Sequence, residues 1–121
     1  MGDFKKLLVW QKTHALALRV HRAAARIRGA QNAALRNQMT RAAQSIVANI
    51  VEGRGQTSDR EFARFLSYSL NSASELEQHV ITGHDIKQVP ESEFNAITAQ
   101  LTEVRKMIHG LRSRLAIPAN D

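Results

Sequence analysis

Apolar residues return at steps of three and four almost everywhere along the chain, most cleanly near its C-terminus. Phe94, Ile97, Leu101, Val104, Ile108, Leu111 and Leu115 keep that spacing without a slip, with Glu103, Arg105 and Arg112 off the seam. Three heptads of this kind predict an amphipathic helix. Pro90 suits its first turn, where a missing N–H costs nothing, and Glu91 and Glu93 lie where the macrodipole favours negative charge. Pro118 is expected to stop it. Upstream, Ser58-Asp59-Arg60-Glu61 has the spacing of a capping box and opens a seam through Phe62, Leu66, Ser69, Ala73, Leu76 and Val80 to Gly83. Another seam, Leu35, Met39, Ala42, Ile46 and Asn49, ends at Glu52-Gly53, where glycine would supply a left-handed C′ residue. The first, Val9, Thr13, Leu16, Val20, Ala23 and Ile27, stops at Gly29. No alternating strand pattern competes. The spacing predicts helices over about 8–28, 32–52, 58–83 and 90–116, joined by short loops: an all-α, antiparallel up-down four-helix bundle in a single domain, 1–121.

Small seam residues, Ala23, Ala42 and Ala73, allow helix axes to approach at the near end of the roughly 8–10 Å range. A second apolar stripe runs beside the first: Trp10, Ala17 and Ala24 on one helix, Ala43, Val47 and Ile50 on the next. Such a helix buries a second face, either in a wider core or against another subunit. Asn49 is a polar residue on a seam, and the best-attested use of such a residue is to fix register or oligomer state.

Composition narrows the class. The chain has 121 residues, 43% of them hydrophobic and 23% charged, within the range of globular domains. It contains no cysteine, which removes disulfide frameworks, thiolate metal sites and thiol catalysis. The opening MGDFKKLLVWQKTH lacks a secretory h-region, and no apolar window reaches membrane-spanning length, so a cytoplasmic protein with no membrane partner is expected. Charge is uneven. Residues 1–60 carry 11 basic and 3 acidic side chains and residues 61–121 carry 6 and 8, so +8 and −2 make up the net +6. That asymmetry suits a polyanion, and it also suits a self-complementary subunit contact.

Candidate chemistry concentrates on the first helix. Lys12, Arg19 and Arg26 recur every seven residues with Arg22 on their edge, and no acid lies between Gln11 and Arg28. Guanidinium forks match phosphate oxygens well. Lys5 and Lys6 beside Phe4, and Lys12 beside Trp10, add aromatic-basic interleaving compatible with base stacking, although Trp10 reads better as bundle-end core. The competing readings of the stripe are a solvated face or an intersubunit contact. Gly53-Arg54-Gly55-Gln56 resembles a phosphate loop only superficially. It has no GK[ST] and no preceding strand, so a helix end plus turn is the better reading, with Arg54 supplementing a basic patch from an exposed loop. Arg41, Asn49 and Glu52 fit a structural network, with Glu75 and Glu77 as possible partners for its arginine. The five histidines form no ligand pattern, Glu75 and His79 alone make no site, and no serine stands in a nucleophile elbow. Neither metal, cofactor nor catalytic residue is expected, and no pattern suggests a small-molecule substrate.

The residues also carry a resemblance. Phe4…Leu7-x-Val9-Trp10-Gln11-Lys12, then Gln38-x-x-Arg41-Ala42-Ala43-x-Ser45-Ile46-x-x-Asn49-Ile50-x-Glu52-Gly53, then Phe62-x-x-Phe65-Leu66 and Ser72-Ala73-x-Glu75-Leu76-Glu77, resemble the 23S rRNA intervening-sequence proteins along essentially the whole chain. That family looks related to the accessory protein of diversity-generating retroelements. The resemblance implies four-helix bundles arranged as five-fold barrels, hence a homopentamer, with no enzymatic activity attached. Two departures stand out: Val51 where many members have alanine, and a more polar His84–Val89 loop. The expected function is a non-enzymatic oligomer that binds rRNA-like nucleic acid through a basic surface. The rival is an assembly scaffold for a protein partner with no nucleic-acid role.

Overall fold

In the structure, a computed structural model describing residues 3–117, the four seams converge on one core. A 3-10 turn at Phe4–Lys6 leads into α1 (Leu8–Ala25), a second at Ala30–Asn32 leads into α2 (Ala33–Arg54), and α3 (Asp59–Asp85) and α4 (Glu91–Ser113) follow. Each helix packs on its neighbour in the chain, and α4 closes back on α1, which is the up-down bundle. Leu16, Met39, Ile46, Leu66, Leu76, Ile97, Leu101 and Ile108 are fully buried seam residues. No helix among the described residues is long and apolar enough to cross a membrane.

The second apolar stripe belongs to this same core. Ala17, Ala24, Ala43, Val47 and Ile50 are buried within the single chain, and Trp10 packs half-buried against them. Its width therefore reflects α1 and α2 each lying between two neighbours, and a second subunit is not needed to explain it.

Helix ends differ from the sequence expectation for local reasons. α1 ends at Ala25, because the N–H groups of Arg26 and Ile27 turn back to the carbonyls of Ala23 and Ala24. Arg36 then reaches across from α2, its Nη1 donating to the carbonyls of Ile27 and Gly29 at 3.0 Å each. Gly29 has φ +97°, where any Cβ is strained. Gly53 is not the left-handed C′ residue expected; α2 runs through it to Arg54. Gly53 is buried, and a Cβ there would lie 2.8 Å from Phe62 Cδ1 and 2.9 Å from Phe65 Cβ. Glycine at this position permits close approach of two helices. Pro90 is the residue before α4 rather than its first, and Pro118 lies outside the described residues. α4 has already ended at Ser113, and Ala116 donates its N–H to Asp59 Oδ2 at 2.9 Å, leading the chain toward α3. Ser58 Oγ does accept from the Glu61 N–H at 3.1 Å, while the Glu61 carboxylate turns instead to Arg64.

The α2–α3 seam is stitched by polar groups. Ser45 and Ser72 hydroxyls lie 2.7 Å apart across it, and the buried Ser69 hydroxyl donates to the Ile46 carbonyl at 2.7 Å. Asn49 Nδ2 donates to the Ser45 carbonyl at 2.8 Å and to Ser45 Oγ at 3.2 Å. Asn49 thus satisfies partners inside its own chain. Asn49→Leu should cost on the order of 1 kcal/mol, from losing a bond to a hydroxyl that is itself bonded across the seam. Thermal melting checks the loss, and sedimentation should show an unchanged particle.

Candidate functional site

The basic stripe of α1 lies along the valley between α1 and α4. Helical rise places Lys12, Arg19 and Arg26 about 10 Å apart. The valley does not leave them equally available. Lys12 Nζ stands 3.5 Å from Glu103, and Arg19 Nε donates to Glu93 Oε1 at 2.8 Å. Both glutamates come from α4, so half of the stripe is balanced from within the chain. Arg22 and Arg26 are exposed, have no ion pair among the described residues, and share a groove of about 410 Å³ with Arg19, Glu93 and Gln100. The Gln100 side-chain carbonyl there is buried without a hydrogen-bond partner. Seven-residue spacing alone could not reveal the two glutamates, because it does not say which neighbour lies on each flank.

Other expected residues fall elsewhere. Lys5 and Lys6 are exposed in the first 3-10 turn, at the opposite end of α1 from Arg26. Arg54 is not in an exposed loop: it ends α2, half-buried, with its Nε enclosed. Trp10 stacks on His14, ring centroids 4.9 Å apart, and meets Phe4 edge-on at 5.4 Å. This cluster holds the N-terminal turn against the flank of α1 away from the arginines.

Arg41 and Glu75 come together, though without a contact between them. They rim a groove of about 390 Å³ between α2 and α3, with Ser45 and Ser72 at its floor and His79 beside Glu75. Glu77 does not pair with Arg41; it accepts from Arg105 of α4 at 3.0 Å. Glu52 is exposed, and its carbonyl accepts from Gln56 Nε2 at 3.1 Å. Among the described residues no group of three His, Asp or Glu side chains converges as a metal would need.

A basic cluster that the helix 1 pattern does not announce lies between α3 and α4. Arg60, Arg64 and Arg112 line a groove there with Glu61 and Tyr68. Arg64 Nε donates to Tyr68 Oη at 2.7 Å, and this bond, with the Glu61 charge behind it, raises the guanidinium pKa further above its ordinary value. The charge pattern holds a second signal, broader than the stripe. From Phe4 to Val51 the chain has nine lysines and arginines and no acid, and this span builds α1 and nearly all of α2. One whole side of the bundle therefore brings no carboxylate of its own.

Comparison with known proteins matches residues 5–110 to the family described as 23S rRNA-intervening sequence protein. No curated protein matches. Among solved structures, a protein of unknown function from Bacteroides thetaiotaomicron, assigned to the S23 ribosomal protein family, superposes with a TM-score of 0.80. It is 23% identical, and the match covers 87% of this chain and 98% of that one, which speaks for a shared fold.

Proposed function

The chain belongs to the 23S rRNA-intervening sequence protein family, and from that premise we propose that it is a non-enzymatic homo-oligomer binding rRNA-like nucleic acid through the basic side of its bundle. The acid-free span from Phe4 to Val51 carries this reading. A surface with cations and no interspersed carboxylates attracts a phosphate backbone without internal competition. Arg22 and Arg26 are the core of the site. Arg19 and Lys12 join it to the extent that phosphates displace Glu93 and Glu103, while Lys5, Lys6 and Arg54 form a weaker second patch at the other end. A ring, a pentamer on the family resemblance, multiplies a modest patch into useful avidity.

Titrating an rRNA fragment against salt tests this reading. Affinity should fall linearly on logarithmic axes, and removing each phosphate-neutralising cation should take roughly 0.7–0.9 off the slope. Arg22→Gln with Arg26→Gln should flatten the slope by about two such steps. Arg19→Gln should do less, because Glu93 already holds that guanidinium. Discrimination between sequences should barely change, since phosphate contacts position without specifying. Sedimentation of parent and variant runs alongside, with a particle well above the 13.5 kDa subunit expected for both. An unchanged slope in an intact particle would move the binding surface elsewhere, and a particle that falls apart would make the stripe a subunit interface.

A further inference from the structure

At the entry to α1 the same α1–α4 valley changes character. Leu8 from α1 and Met107 and Leu111 from α4 line a groove of about 410 Å³, with Lys106 and Arg114 on its rim and no acid in its lining. Leu8 is 58% exposed, the most exposed large hydrophobic residue among those described. Gly110 leaves a gap in the wall, where an added Cβ would meet nothing within 4 Å. Neither rim cation has an ion pair among the described residues. The described segments before α1 and after α4 lead away from this groove. Phe4 packs on Trp10 at the far flank of α1, and Ala116 bonds to Asp59 of α3.

We propose that this groove docks an acidic amphipathic helix of a protein partner, a role separate from the nucleic-acid surface. A valley between two antiparallel helices accepts the apolar ridge of a third, read as anchors at i, i+3, i+4 and i+7. The gap at Gly110 takes one bulky anchor, and Leu8 and Met107 flank the next. Lys106 and Arg114 then meet carboxylates on the edges of the incoming helix, which selects acidic segments by complementary charge. A nucleic acid would find no aromatic platform in this lining. A small ligand would leave much of itself in water, because small-molecule sites enclose most of their ligand and the Leu8 wall here is more than half open.

The probe is a fluorescein-labelled synthetic helix of roughly 16 residues, with leucines at those four spacings and glutamates on both edges. The parent protein should bind it with micromolar affinity, and the same helix with lysine edges should not bind. Gly110→Phe places its Cβ where no atom lies within 4 Å, directs its ring into the open groove and replaces a helix-weakening glycine, so the fold should be kept, as circular dichroism and melting would show. That variant should bind the acidic helix at least about tenfold more weakly. Lys106→Gln with Arg114→Gln should weaken binding several-fold and remove most of its salt dependence. The proposal is overturned if the parent does not bind the acidic helix, if Gly110→Phe binds it equally well, or if the lysine-edged helix competes. Two further results would also overturn it by naming another occupant: a change in sedimenting mass on Gly110→Phe, which would mean a second copy, or a loss of rRNA affinity, which would put the groove within the nucleic-acid surface. Unchanged rRNA binding by Gly110→Phe keeps the two surfaces distinct.

Discussion

Gly53→Val should be among the most damaging single substitutions in the bundle, costing about 3 kcal/mol and lowering Tm by about 10 °C. Glycine inside a helix is normally a liability of roughly 1 kcal/mol against alanine, so its presence in α2 needs a compensating reason. The reason is the approach of α3. The nearest atoms to an added Cβ include Phe65 Cβ at 2.9 Å, which is tied to the α3 backbone and cannot swing aside. Any side chain at Gly53 must therefore push the helices apart or displace the buried Phe62 ring. Valine adds two further methyl groups to that collision while regaining only a few tenths of a kcal/mol in propensity. Gly53→Ala separates the two effects. If close packing dominates, alanine is also less stable than glycine, by about 1 kcal/mol; calorimetry showing the alanine variant more stable would mean that propensity wins and the packing argument fails.

The seams were legible because a period of three and four residues reports which face points inward, and every seam position from Val9 to Ile108 is in the core or packed against it, apart from Asn49, which bonds within the α2–α3 seam. Helix ends were less legible because they depend on residues distant in sequence. Arg36 caps carbonyls seven and nine residues before it, and Asp59 draws Ala116 off the end of α4 from 57 residues away. Gly53 misleads for the same cause: glycine after a glutamate looks like a helix stop, and only the neighbouring phenylalanines show it to be a contact point. Ser69 resembles one more small seam residue in the sequence, whereas its hydroxyl ties α3 to the Ile46 carbonyl.

The site divides along the same line. Arg22 and Arg26 were visible as part of a stripe, but spacing gave Lys12 and Arg19 equal standing with them. What lowers those two is the choice of neighbour. α4 brings Glu93 and Glu103 to the α1 flank while its other flank sends Arg105 to Glu77. α4 thus supplies counter-ions to the acid-free side of the bundle and takes one from the acidic side. Within the stripe, only Arg22 and Arg26 are left without an ion pair among the described residues.

That arrangement predicts a gain of function. Glu93→Gln with Glu103→Gln should raise affinity for an rRNA fragment by about tenfold at 50 mM salt and steepen the salt dependence by roughly 1.4–1.8, the equivalent of two more neutralised phosphates. Both substitutions leave side-chain size nearly unchanged and remove only the carboxylate charge that holds Arg19 and Lys12. The cost to the fold is small. Lys12–Glu103 is a half-exposed pair and contributes little, and Arg19–Glu93, with the glutamate 20% exposed, lies at the upper end of what a surface bridge supplies, about 1 kcal/mol. Adding Arg19→Gln should remove about half of the gain, because the effect of Glu93→Gln acts through that one guanidinium. A filter-binding series from 50 to 200 mM salt reads both quantities, with melting curves to confirm the small stability change. Affinity that rises while the slope stays fixed would point to a general loss of negative charge rather than to Arg19 and Lys12 engaging phosphates. If neither moves, the α1–α4 valley is not where phosphates bind.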